Sequence, residues 1–252
     1  MEEHPGSWLN FFVDMLPERA HAFIDLGVIT SWLIMVLLVL FAWLGTRKRL
    51  LRPRGLQTVW EIYYGFVRGF LVHEMGPSAE RYVPLLGTLL IYILVMNLFG
   101  LIPGFITPTM SLNMTVPLAI TVFLSVQYYG IREQGWRYLM HFVGEPWWLF
   151  LVGIPVHVIG EIARPLSLSV RLFGNMFGEE TAIARMAALG AMVLAAVYVP
   201  LPVQIINVLL HLIIAPIQAY IFFLLSAAYI QMATAHEGAD SHRPAQGRTL
   251  AA

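Results

Sequence analysis

The stretch Val28–Leu44, VITSWLIMVLLVLFAWL, is almost continuously apolar, and no charged residue falls between Asp25 and Arg47. A helix of about 20 residues crosses a hydrocarbon core of about 30 Å, so this run predicts a transmembrane span over 28–46. The remaining composition carries the same message. Of 252 residues, 58% are hydrophobic and 12% charged, with a mean hydropathy of +0.72. Soluble domains carry about 25% charged residues. Half that charge cannot coat a water-facing globule of this size, which excludes a soluble enzyme. Disordered chains are poor in apolar residues and are excluded too. Fifteen basic residues balance fifteen acidic ones, so no net charge argues for nucleic acid as a partner. The absence of cysteine removes disulfide scaffolds, thiol nucleophiles and thiolate metal sites. The chain reads as an all-α polytopic membrane protein in contact with a lipid bilayer.

The first span is followed at once by Arg47-Lys48-Arg49, then Arg52 and Arg54. The positive-inside rule assigns that cluster to the cytoplasm and the segment 1–27 to the outside. The start, Met1-Glu2-Glu3-His4-Pro5, is acidic where a cleavable secretory signal is basic, so no such signal is expected. In the next stretch Leu56, Val59, Trp60, Tyr63, Val67, Phe70 and Leu71 recur at helical spacing, with Gln57, Thr58, Glu61 and Arg68 on other faces. This predicts an amphipathic helix over 56–74 lying along the cytoplasmic surface, or packed on another subunit.

From Tyr82 to Ile131 there is no Asp, Glu, Lys or Arg, and Pro103-Gly104 and Pro108 punctuate the run. Two spans, 82–102 and 113–131, joined by an outer turn, account for it. Arg132 and Arg137 mark the return to the cytoplasm. Asn97 and Gln127 stand alone in these spans, where a polar side chain ordinarily bonds a neighbouring helix.

The stretch 147–197 is apolar but contains His157, Glu161, Arg164, Arg171, Glu179, Glu180 and Arg185, whereas 203–235 has no charge yet holds Gln204, Asn207, His211 and Gln218. A single helix over the first of these runs about 60 Å or more. Such a helix tilts strongly, bends at a proline or projects from the bilayer. The expected architecture has five transmembrane helices and one interfacial helix, the last two spans forming a long tilted hairpin that turns near Tyr198–Pro202. A polar cytoplasmic tail, 236–252, follows. No internal repeat of the kind many carriers show is visible.

Ionisable groups at membrane depth cost about 2.5–3.5 kcal/mol each on insertion scales, so they persist where they pair, line water or do work. At about 100° per residue, with Arg171 at zero, Arg164 falls near 20°, His157 and Asn175 near 40°, Glu161 and Glu179 near 80°, and Glu180 near 180°. On the last helix Gln204 and Gln218 lie within about 20° of His211, and Asn207 within about 40°. Polar stripes on two adjacent long helices point to an ion path, the plainer alternative being interhelical hydrogen bonds and a Glu161–Arg164 pair. Arg171 stays protonated and so cannot relay a proton by titrating. It supplies a fixed charge that attracts a carboxylate and repels passing cations, whereas Glu180 and His211 can exchange protons.

At these residues the chain resembles a known family. Arg164-Pro165-Leu166-Ser167-Leu168-Ser169-Val170-Arg171-Leu172-Phe173-Gly174-Asn175-Met176-Phe177-Gly178-Glu179-Glu180 resembles the signature of subunit a of the F-type ATP synthase. His211-Leu212-Ile213-Ile214-Ala215-Pro216-Ile217-Gln218-Ala219-Tyr220-Ile221-Phe222 matches its second signature. The resemblance spans the chain. It implies a non-catalytic stator subunit of the membrane sector, facing a rotating ring of c subunits and held by the b subunits of the peripheral stalk, in a bacterial inner membrane. It also implies roles. Arg171 holds an arriving ring carboxylate ionised and separates two aqueous half-channels. Asn175, Glu180, His211 and Gln218 match the outer half-channel, and His157 and Glu161 are the candidates for the cytoplasmic exit. The sequence departs from the family at two positions. His157 stands where a carboxylate is common, with Glu161 one turn later on the same face. Glu179 stands where a small residue or histidine is common, giving two neighbouring carboxyls that could share a proton.

Two rival readings remain open at this stage. A self-contained secondary transporter with an Arg171/Glu161 substrate site would ordinarily show repeats or broken helices in both halves. An intramembrane metalloenzyme would need more than His157 and Glu161 at i, i+4 spacing, because no third ligand is evident. No cofactor is expected.

Overall fold

The computed structural model describes residues 26–47, 54–102, 105, 107–135, 150–197 and 203–234. Most of the expected outer segment 1–27, Lys48, Arg49, Arg52, Arg137, the hairpin turn near Tyr198–Pro202 and the tail 236–252 lie outside the described residues, as do the side chains of His157, Gln204 and Asn207. The described elements are all helical: α1 (Leu26–Thr46), α2 (Leu56–Met75), a 3-10 turn (Pro77–Tyr82), α3 (Val83–Phe99), a second 3-10 turn (Pro108–Met110), α4 (Leu112–Gln134), α5 (Phe150–Val197) and α6 (Val203–Thr234).

Among the described residues four segments are long and apolar enough to cross a membrane: Leu26–Thr46, Pro77–Phe99, Leu112–Gln134 and Val208–Thr234. The protein is therefore a multi-pass membrane protein. The 48 residues of α5 run on through Pro155 and Pro165, and α6 continues through Pro216, so the prolines sit inside helices and do not end them. At 1.5 Å per residue α5 extends about 70 Å, well over the thickness of a hydrocarbon core.

Local chemistry sets the joints. Gly55 (φ 63°) and Gly76 (φ 85°) flank α2 in left-handed backbone that only glycine adopts without strain. Pro84 occupies the first turn of α3, where its missing N–H costs nothing. The Ser111 side chain caps α4 by accepting from the Asn113 N–H.

Helix α6 lies at the centre, against α3, α4 and α5, and α4 lies along α5. Its buried stripe combines small and large residues: Ala215, Ala219, Phe222, Phe223, Ser226, Ala227, Ile230 and Ala233. Small residues let the backbones of membrane helices approach, and packing replaces the hydrophobic effect as the source of association there. Helix α1 sits to one side, against α2, α3 and the Pro108 turn. Its outer face stays open, with Trp32, Val36 and Val39 more than half exposed, as suits contact with hydrocarbon.

Candidate functional site

The site is built on α5. Leu168, Leu172 and Met176, four residues apart, are buried on one face, and Glu179 continues that line. An adjoining face, about 100° round the helix from Leu172, carries Arg171, which is exposed, among exposed small residues: Gly160, Ser167, Gly174, Gly178 and Ala182. The polar stripe therefore divides. Its acidic edge turns into the bundle, and its arginine edge turns out.

On one side of Arg171 along α5 the buried polar groups form a connected set. His211 Nδ1 lies 3.0 Å from Glu179 Oε1, both side chains being 4% exposed. His211 Nε2 lies 2.9 Å from the Asn97 carbonyl oxygen. A carbonyl only accepts, so Nε2 carries the hydrogen and Nδ1 is the variable position. Either imidazolium donates to a Glu179 carboxylate, or neutral imidazole accepts from the carboxylic acid. In both forms the pair holds one proton between its members. Among the described residues no donor other than His211 reaches the Glu179 oxygens.

The Asn97 side chain is fixed in turn. Its Nδ2 donates to the Ala215 carbonyl at 3.3 Å, and its Oδ1 accepts from the Thr109 hydroxyl at 2.8 Å. Next to this set, the Thr107 hydroxyl donates to Glu180 Oε1 at 3.4 Å, and Asn175 Nδ2 donates to Gln218 Oε1 at 2.7 Å across the α5–α6 seam.

On the other side of Arg171 stands a second set. Glu161 is ion-paired with Arg164 through Oε1, and its Oε2 accepts from Gln127 Nε2 at 3.1 Å. The Arg164 guanidinium stands 5.9 Å from the centre of the Tyr229 ring. A cavity of about 10 Å³ lies between Val122, Val126, Glu161, Arg164 and Tyr229, close to the space a single water needs.

Arg171 separates the two sets, roughly 15 Å along the axis from Glu161 and roughly 12 Å from Glu179. Three arginines are neutralised within the chain, in Arg68–Glu80, Arg81–Glu133 and Arg164–Glu161, whereas Arg47, Arg54 and Arg132, at the helix ends, form no ion pair among the described residues. Among the described residues Arg171 forms no ion pair. Arg185 forms none either, and lies about 20 Å further along α5.

The sequence candidates thus fall into three groups. Glu179, His211, Asn175, Gln218 and Glu180 gather on one side, Glu161 is on the other, and Arg171 stands between. The sequence leaves open which acid meets His211: His211 takes Glu179, while Glu180 takes Thr107. Asn97 and Gln127 bond neighbouring helices, as lone polar residues in spans do. The parts that Thr107, Thr109 and the Asn97 carbonyl play went unread. Threonine is unremarkable in a span, and a backbone acceptor leaves no mark in a sequence. The small residues around Arg171 did leave one, since Gly160, Ser167, Gly174 and Gly178 recur at intervals of seven and four. No group of three His, Cys, Asp or Glu converges among the described residues.

Residues 28–231 match the family described as ATP synthase A chain. ATP synthase subunit a 2 of Syntrophotalea carbinolica is 42% identical over 220 residues, covering 87% of this chain and 89% of its own length. Subunit a of Geobacter sulfurreducens is 40% identical over 231 residues, covering 90% and 96%. That of Desulfosudis oleivorans is 36% identical over 234 residues, covering 93% and 99%. With agreement over nearly the whole chain, the protein belongs to the ATP synthase subunit a family, a membrane-sector component of the ATP synthase complex.

Proposed function

We propose that this chain is the ion-translocating stator of the membrane sector, loading and unloading protons on the carboxylates of a c-subunit ring. It catalyses no covalent chemistry and couples ion flow to rotation and so to ATP synthesis. The observation that carries this reading is Arg171: an exposed cation on α5, without an ion-pair partner among the described residues, on a face of small residues, with polar sets on both sides of it. A fixed charge at membrane depth is costly, so an anion from outside the chain is its natural counterpart. A ring carboxylate supplies one, and the small residues let a second helix come close.

The Glu179–His211 set, with Asn175, Gln218 and Glu180, serves as the outer half-channel, and the Glu161 set with His157 serves as the cytoplasmic one. Arg171 repels cations and prevents a direct path between the two. Moving one charge through the potential yields about 2.3 kcal/mol per 100 mV, so a leak past Arg171 dissipates the driving force directly. In this reading α5 is the fifth span, α2 is interfacial, the N-terminus is outside and the C-terminus cytoplasmic in a bacterial inner membrane, and b subunits brace the assembly.

The test is ATP-driven acidification of inverted vesicles carrying Arg171→Ala, with assembly measured in parallel. An assembled complex that no longer pumps is the expected result. Normal pumping would make the arginine structural and end this reading.

A further inference from the structure

A cavity of about 360 Å³ opens between α1, α2 and α3, away from the polar sets. It falls within the roughly 300–1,000 Å³ of sites that hold organic ligands. Leu38, Val39, Ala42 and Ile91 form its apolar wall, and four lining side chains carry polar groups: Trp60, Tyr63, Thr88 and Tyr92. Each of the four is already committed. Tyr63 donates to the Gly87 carbonyl at 2.6 Å, Thr88 to the Pro84 carbonyl at 2.6 Å, Tyr92 to the Ser31 carbonyl at 3.2 Å and the Trp60 indole to the Phe41 carbonyl at 3.4 Å. Burial also raises the Tyr63 hydroxyl above its ordinary range, so it remains a donor at any physiological pH. The interior therefore offers no free donor to a polar ligand. An apolar groove open to the bilayer, with its donors committed to backbone carbonyls, favours hydrocarbon over water.

The charge at one end identifies what kind of hydrocarbon. Ala42 and Trp60 line the end of the cavity nearest the close of α1, and Arg47 follows Ala42 by about 7 Å along the chain axis. Arg47 and Arg54 are both exposed, and Arg47 rests 4.9 Å from the centre of the Trp43 ring. The stretch 47–54 holds five cations and no acid. Arg47 and Arg54 do not line the cavity but stand at the adjoining ends of α1 and α2 beyond it, where basic side chains at a membrane surface favour anionic headgroups. We propose that this cavity holds one acyl chain of an anionic phospholipid, whose headgroup is bound by Arg47 and Arg54 at the membrane surface. The lipid would fill the angle between the first span and α2, seating the interfacial helix against the bundle.

The intact complex in vesicles provides the test. The probe is a phosphatidylglycerol bearing a photoreactive diazirine at mid-chain, in phosphatidylethanolamine vesicles, with the matching phosphatidylcholine probe as control. Labelling is expected in peptides containing Met35–Ala42 and Gly87–Tyr92, with phosphatidylglycerol preferred. Ala42→Phe, which fills the cavity, should remove most of that label, whereas Val36→Phe on the exposed face should leave it. Arg47→Gln combined with Arg54→Gln leaves the cavity intact and should reduce the headgroup preference about thirtyfold, since each arginine contributes to binding an anionic surface. Three outcomes overturn the proposal: label spread evenly over the exposed face of α1, equal labelling by the two lipids, or a cavity closed to lipid because another subunit's helix occupies it.

Discussion

His211 is held by two neighbours with different demands. The Asn97 carbonyl takes its Nε2 hydrogen, so the variable proton position of the ring is the contact with Glu179. Glu179→Gln keeps a polar group there but cannot exchange a proton. Pumping by inverted vesicles is expected to fall, and its pH profile to shift, with the complex still assembled. An unchanged profile would show that Glu179 takes no part. His211→Ala is harsher, because it leaves Glu179 buried with no donor in reach; breaking such a pair costs about 3–5 kcal/mol. Loss of assembled complex in the membrane, measured by immunoblot, is the expected outcome. Arg171, Glu179 and His211 stood out in the sequence because ionisable groups are rare at membrane depth. Which acid meets His211 did not, because a helical wheel gives the face of a residue but not its height against the neighbouring helix. That register is set by packing between α5, α6 and α3, such as Leu172 and Met176 on α5 and Ala215 and Ala219 on α6.

Among the elements, the turn after α3 is the tightest joint. A Cβ added at Gly100 would lie 1.9 Å from Thr107 Oγ1 and 3.1 Å from its Cβ. The backbone there is ordinary (φ −63°), so glycine is needed for space and not for conformation. Gly100→Ala must therefore turn the Thr107 hydroxyl away from Glu180, at the cost of about 1–3 kcal/mol typical of overpacking. Lower assembly of the complex is expected, and Gly100→Ala with Thr107→Ala should restore assembly by removing the clash. Full assembly of the single variant would mean the joint has slack. The helical runs themselves were readable, because apolar stretches free of charge allow little else in a bilayer. The run 147–197 reads as one long helix; what the apolar pattern leaves open is whether it bends at a proline, and the helix continues through Pro155 and Pro165. Here α4 and α6 both lie along that helix.

For the whole molecule the informative surface is the one left uncovered. Around Arg171 the outer face of α5 presents Gly160, Ser167, Gly174 and Gly178, and a Cβ at any of the three glycines meets nothing within 4 Å. Within this chain those glycines have no steric purpose, and each costs helix stability of about 1 kcal/mol relative to alanine. Their smallness makes sense only if something outside the chain comes close. Gly174→Leu separates the two situations. In the isolated subunit the substitution adds a good helix former in open space, so its insertion and protease resistance should equal or exceed those of the unaltered chain. In the complex the new side chain stands beside Arg171 where a moving ring helix would pass, and ATP-driven pumping should drop severely, while ATP hydrolysis by the detached soluble sector stays normal. Gly174→Ala, one methyl in size, should be much milder. If Gly174→Leu pumps at the ordinary rate, no helix passes close to this face, and the unpaired charge of Arg171 needs another explanation.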